Sequence, residues 1–183
     1  MGIEVKKAIQ ELDRALQQEK CAMEIFICGG AALALLGISS RETGDVDLIA
    51  KVLEPALVRA ANRVAKKLDY PETWLNNKVN PIIERLPLNW QRTATLVFHG
   101  KCLTVYSLSR QNLINSKLHA CVERRSSDYL DLIALAPRLS ELEKARAYCH
   151  KQHSANRTKG ESNATYRIWV NGFINLLKKE LGL

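Results

Sequence analysis

The stretch ICGGAALALLGISSRETGDVDLIA, residues 27–50, decides how the rest of the chain is read. A short apolar run ends at Cys28, Gly29 and Gly30 follow, and further on Asp45 and Asp47 alternate with Val46 and Leu48. Residues 25–28 read as a buried strand. Residues 31–36, rich in Ala and Leu, read as a helix stopped by Gly37, and residues 45–50 as a second strand. Side chains alternate along a strand, so Asp45 and Asp47 project from one face and Val46 and Leu48 from the other. Two carboxylates held side by side repel. A hard cation such as Mg²⁺ offsets that cost and keeps coordination positions open for phosphate. Paired metals also suit in-line phosphoryl transfer. Gly29 and Gly30 allow close approach of backbone to a ligand, and N–H groups at a helix start favour phosphate. Arg41 and Thr43 lie just before the aspartates, within reach of the same phosphates. Taken singly, D-x-D is commonly a pair of solvated carboxylates and Gly-Gly commonly a turn. The order strand, Gly-Gly, helix, R-x-T-x-D-x-D, strand is what points to a site.

Working outward, the chain has 183 residues, near the size of one ordinary domain, and 46% of them are hydrophobic. The formal charge of +8 and the pI of 9.4 favour polyanion partners: nucleic acid, nucleotide phosphates or an acidic protein. The basic residues are spread along the chain, which also fits a plain solvated surface. The five cysteines, Cys21, Cys28, Cys102, Cys121 and Cys149, include no C-x-x-C pair, so neither a zinc site nor a redox motif is indicated. A reducing cytoplasm fits such thiols best. The first twenty residues form a charged helical pattern without the apolar centre of a signal peptide. No apolar run approaches the roughly 20 residues of a membrane-spanning helix. A cytoplasmic chain without membrane partners is expected.

Residues 5–18 carry Val5, Ile9, Leu12 and Leu16 at helical spacing, and residues 55–68 return to that period. Residues 69–90 are irregular, with Pro71, Pro81 and Pro87, and such stretches are often functional. Residues 94–98 and 103–106 read as a hairpin. Helical patterns follow, the first beginning at the candidate cap Ser109 and the next ending before Pro137. A polar loop is expected over 154–163. A last helix carries Tyr166, Trp169, Phe173, Leu177 and Leu181 at helical spacing. The fold class expected is α+β: a small mixed sheet flanked by helices, with a C-terminal helical bundle. Residues 1–135 form the α/β part and 136–183 pack on it as one compact unit.

The segment GGAALALLGISSRETGDVDL resembles the signature of the DNA polymerase beta-like nucleotidyltransferase superfamily. Within it the likeness is to small prokaryotic nucleotidyltransferase-like proteins, namely the AbiEii-type toxins of toxin–antitoxin systems and a related uncharacterised group. WLNN at 74–77 resembles an element of that uncharacterised group. The superfamily pattern has Gly-Ser where this chain has Gly29 and Gly30, which removes one hydroxyl contact to phosphate and leaves the backbone donors. A second likeness to the toxins lies in KLHACVERRSSDYLDL, on Lys117, Arg125, Asp128 and Asp131. Read without the resemblance, Ser126, Ser127 and Asp128 are good helix caps, and Asp131 is a partner for Arg124 or Arg125. Many superfamily members carry a third catalytic carboxylate on a later strand, and neither ATLVF nor LTVYS has one. Either Asp128 takes that role from a helix, as the toxin pattern implies, or the site is incomplete. The resemblance spans residues 26–135.

What the resemblance implies is a nucleotidyltransferase that moves a nucleoside monophosphate from a nucleoside triphosphate to an acceptor. Asp45, Asp47 and Asp128 would hold Mg²⁺ or Mn²⁺. Gly29, Gly30, Arg41 and Thr43 would hold phosphates, and Lys117 would serve the triphosphate as a compact charge. The basic charge suggests RNA as acceptor, tRNA being what the toxin likeness implies, with an antitoxin protein as partner. Two rivals stand: a transferase acting on a small-molecule or protein hydroxyl, and a catalytically silent binding module of the same fold pairing with a protein. Other groups read more plainly. Cys28 suits a small core residue, His99 a turn, His150 and His153 exposed polar positions, and Tyr166, Trp169 and Phe173 a helix core.

Overall fold

Val5, Ile9, Leu12 and Leu16 recur at helical spacing, and all four are buried along helix α1 (Val5–Glu19). The computed structural model describes residues 2–124, 128–155 and 163–183. The chain divides into two compact units, Met1–Ser109 and Arg110–Leu183.

In the first unit α1 leads to β1 (Met23–Cys28), α2 (Gly29–Leu35), β2 (Val46–Leu48), α3 (Pro55–Leu68) and β3 (Leu75–Asn76). Two 3₁₀ turns, Asn80–Arg85 and Trp90–Thr93, precede β4 (Thr95–His99) and β5 (Leu103–Ser107). The strands form one mixed sheet in the order β3-β2-β1-β5-β4. β1 runs antiparallel to β2 and parallel to β5, β2 parallel to β3, and β4 antiparallel to β5. Ile25, Ile27, Val46, Leu48, Leu103 and Val105 are buried. Removing each such side chain from water contributes about 1.5–3 kcal/mol before the entropy of ordering is subtracted. Helices α1 and α3 pack together and are bridged at the surface, where Glu19 pairs with Arg59 at 2.8 Å and Arg63 at 2.6 Å. Exposed pairs of this kind add little stability.

A mixed α/β fold is thus as expected, with three local differences. β2 has three residues rather than six, because after Ile49 N–H donates to Phe26 C=O (2.8 Å) no further residue pairs with β1. β1 starts earlier, at Met23, since its parallel register with β5 begins at Met23 opposite Leu103. The irregular stretch hides β3, anchored by a fully buried Trp74 whose indole N–H donates to Ala61 C=O at 3.0 Å. Gly37 ends α2 as anticipated. Its φ is +69°, and Ile38 N–H bonds Leu33 C=O at 2.9 Å, the bond pattern of a glycine-terminated helix.

One carboxylate of α1 is structural. Asp13 Oδ1 accepts from the N–H groups of Cys102 (2.8 Å) and Leu103 (2.9 Å), fixing the start of β5. Burial alone would raise its pKa; the backbone hydrogen bonds outweigh that and hold it below the ordinary value.

The second unit is helical: α4 (Arg110–Arg124), α5 (Asp128–Leu135), α6 (Leu139–Ala155) and α7 (Asn163–Leu181). Tyr166, Val170, Ile174 and Leu177 form the buried stripe of α7, while Trp169 is 39% exposed and Phe173 half-buried. The expected stripe is therefore rotated: steps of four and three from Tyr166 stay on one face, and positions 169 and 173 fall on its shoulder. Glu141, in the first turn of α6, reaches back to the Arg138 N–H at 2.8 Å and pairs with Arg110 at 2.9 Å. The expected roles of Arg125, Ser126 and Ser127, and most of the expected polar loop (residues 156–162), lie outside the described residues. Among the described residues no helix is long and apolar enough to cross a membrane. The five cysteines are free thiols.

Candidate active site

The antiparallel register of β1 and β2 sets Asp47 opposite Cys28, level with the turn into α2. There Gly29 has φ +68°, a conformation that disfavours any side chain, and a Cβ on it would lie 2.9 Å from Asp47 Oδ2. Glycine is thus required twice, by the turn and by the carboxylate that fills the vacant space. A Cβ on Gly30 would lie 3.1 Å from Thr43 Oγ1. The Thr43 hydroxyl donates to Asp45 C=O at 3.1 Å, and Thr43 C=O accepts from Ile3 N–H at 2.8 Å. Thr43 therefore shapes the backbone that delivers Asp45. Arg41 is exposed on the same connection, its N–H donating to Ser39 Oγ at 3.2 Å.

Asp45 sits one residue ahead of β2. Both aspartates are half-buried, while Val46 and Leu48 are buried, which is the alternation anticipated. The parallel register of β2 and β3 sets Asn76 opposite Asp47. From that face the Asn76 amide donates to Asp45 Oδ2 at 3.1 Å, so the two carboxylates share one side of the sheet with Asn76. Asn76 Oδ1 accepts from Lys78 N–H at 2.9 Å, and Asn77 donates to Ala50 C=O at 3.1 Å. Asn76 went unrecognised in the sequence. The only signal was WLNN, and nothing in a two-residue strand reveals its partner thirty-one residues away.

The residues of the second motif also meet one another, within the second unit. Lys117 Nζ lies 2.7 Å from Asp128 Oδ1 and 2.6 Å from Asp131 Oδ2, all three being buried. Burial disfavours the ammonium, but the two carboxylates outweigh it and raise the Lys117 pKa above its usual value. The Lys117 ammonium thus bridges the two carboxylates.

Cys28 is buried, as a core residue should be. His99 is an exposed strand-end residue whose Nδ1 is 3.2 Å from Thr104 Oγ1. The His153 ring stacks on Tyr166 at 4.0 Å. Among the described residues no group of three or more His, Cys, Asp and Glu side chains is arranged to hold a metal ion. Asp45 and Asp47 bring carboxylate oxygens to this side of the sheet, and Asn76 turns its amide nitrogen to Asp45.

A family model described as a nucleotidyltransferase of unknown function (DUF6036) matches residues 4–164. The chain belongs to this nucleotidyltransferase family. The match takes in Gly29, Asp45, Asp47, Asn76, and all of α4 and α5. It agrees with the superfamily expected from the residues around Gly29 and Asp47, and at that level the chain is a transferase. Comparison with curated proteins gave no match, and neither did comparison with solved structures.

Proposed function

We propose that this nucleotidyltransferase transfers a nucleoside monophosphate from a nucleoside triphosphate to an acceptor hydroxyl in a reaction that depends on Mg²⁺ or Mn²⁺. In the transfer, the acceptor oxygen bonds to the α-phosphorus, the bond from that phosphorus to the bridging oxygen breaks, pyrophosphate leaves, and the hydroxyl proton passes to solvent. The observation that carries the reading is the seating of Asp47 against Gly29, with Asp45 on the same side of the sheet. The donor set suits a hard divalent cation: oxygen ligands from half-buried carboxylates beside a glycine whose missing Cβ leaves room. Such a cation supplies neutralisation of phosphate charge. Asp45 and Asp47 would hold it. The backbone at Gly29 and Gly30 and the exposed Arg41 would take phosphate oxygens, with Thr43 holding the loop in shape.

The basic charge of +8 favours RNA as the acceptor. The roles of Asp128 as third carboxylate and of Lys117 at the triphosphate, and the toxin role with an antitoxin partner, rest on the likeness to AbiEii-type toxins. A second reading, a silent binding module, is favoured by one observation: the Lys117 ammonium is already engaged by Asp128 and Asp131.

Incubation of the protein with each labelled triphosphate, Mg²⁺ or Mn²⁺ and total RNA tests both. Label in RNA that disappears in Asp45→Asn/Asp47→Asn supports transfer. Nucleotide binding with no label passed to RNA, protein or small-molecule hydroxyls supports the silent module.

A further inference from the structure

We propose that Asn76 is the positioning residue of the carboxylate pair, fixing Asp45 for cation binding while adding no charge of its own; the inference rests on the metal-dependent reading above. Asn76 is 6% exposed, and both ends of its amide are engaged. Lys78 N–H can only donate, so it requires the oxygen end, and it lies 2.9 Å from Oδ1. The nitrogen end is thereby turned to Asp45 Oδ2 at 3.1 Å, and a flipped amide would set oxygen against oxygen. Nδ2 also lies 3.4 Å from Thr73 C=O.

The backbone around this amide is itself anchored. Trp74 ties the segment to Ala61 on α3 through its indole and to Val46 N–H on β2 through its C=O. Asn77 ties it to Ala50, beyond the end of β2. The segment that carries Asn76 is thus tied down on both sides of it, by Trp74 to β2 and α3 and by Asn77 to the residue beyond Ile49. A hydrogen bond to one carboxylate oxygen restricts rotation of the group and leaves the other oxygen available.

The neutrality of this partner matters, as a comparison within the chain makes clear. Asp128 and Asp131 share a built-in cation, Lys117. Asp45 receives an amide instead, and among the described residues it forms no ion pair. A lysine at position 76 would compete with an external cation for the same charge; an asparagine orients the carboxylate and leaves its charge available.

The test is a double-mutant cycle read by the affinity for Mn²⁺ alone, from the free Mn²⁺ signal in electron paramagnetic resonance. Asn76→Ala should weaken Mn²⁺ binding roughly tenfold, the usual scale for removing a group that orients a metal ligand. In an Asp45→Ala background the same change should do nothing further, because Asn76 acts through Asp45. Asn76→Ser keeps a short polar group near the Lys78 amide but does not reach Asp45, and it should show the same loss. It serves if Asn76→Ala fails to fold. Wild-type affinity in both Asn76 variants, or an equal loss with and without Asp45, overturns the positioning role while leaving the metal reading intact. Mn²⁺ binding unaffected by Asp45→Ala/Asp47→Ala, or absent from the wild type, overturns the metal reading and the inference with it.

Discussion

Asp47 Oδ2 lies 2.9 Å from the place a Cβ on Gly29 would occupy, so the carboxylate and the glycine define each other's position. Gly37 has nearly the same backbone conformation, φ +69° against +68°, but nothing within 4 Å of its would-be Cβ. The two glycines therefore separate backbone strain from loss of the site.

Gly37→Ala should lower stability by about 1–2 kcal/mol, the cost of a left-handed alanine, and leave nucleotide binding unchanged. Gly29→Ala should carry the same strain and also displace Asp47, so nucleotide binding in the presence of Mg²⁺ should fall at least tenfold. Thermal melts beside a nucleotide titration distinguish them. Equal binding by the two variants would detach Gly29 from the site.

Lys117→Ala takes the buried ammonium away from the Asp128 and Asp131 carboxylates, and should destabilise the protein by about 3–5 kcal/mol. Asp128→Asn leaves the Lys117–Asp131 pair and should cost less. Because the Lys117 pKa is raised in the folded state, its stabilisation is full below the ordinary lysine value of 10.5 and is lost as pH rises through the higher folded value. Chemical denaturation from pH 8 upward should show that decline in the wild type and not in Lys117→Met. Transfer activity on the same proteins tests the proposed third carboxylate: a fully active Asp128→Asn removes that residue from the reaction.

Burial alone would raise the Glu141 carboxyl; hydrogen bonds from Arg110 and Arg138 outweigh it and bring it down to about 2, from an ordinary 4.5. A depressed carboxyl stabilises the fold above its unfolded pKa, and the contribution fades as pH falls from 4.5 towards 2. Glu141→Gln should flatten the acid limb of the stability profile over that window. An unchanged acid limb would mean that Arg110 and Arg138 do not stabilise the ionised form.

The parts of the fold legible in the sequence were those governed by local period. Ile9, Leu12 and Leu16 marked α1, and residues 55–68 marked α3 to its observed bounds. The alternation at Asp45–Leu48 was legible for the same reason: it needs only the two-residue repeat of a strand. What stayed hidden depends on pairing between distant segments. Asn76 finds Asp45, and Asp13 finds Cys102 and Leu103, through register that no local pattern encodes. The ion pairs of Lys117 with Asp128 and Asp131 were hidden similarly. Three-residue spacing sets Asp128 and Asp131 on one helical face, and only the packing of α4 on α5 brings the lysine to it.

We propose that Asp45 and Asp47 hold the cation that brings in a nucleoside triphosphate. The most direct measurement is the rise in melting temperature on adding Mg²⁺ and triphosphate, in wild type and in Asp45→Asn/Asp47→Asn. A ligand that binds only the native state at a hundred times its Kd stabilises by about 2.7 kcal/mol, which a melt resolves. A clear rise is expected in the wild type and none in the double variant, whose ligand-free stability should equal or exceed that of the wild type. A full rise in the double variant would contradict the proposal.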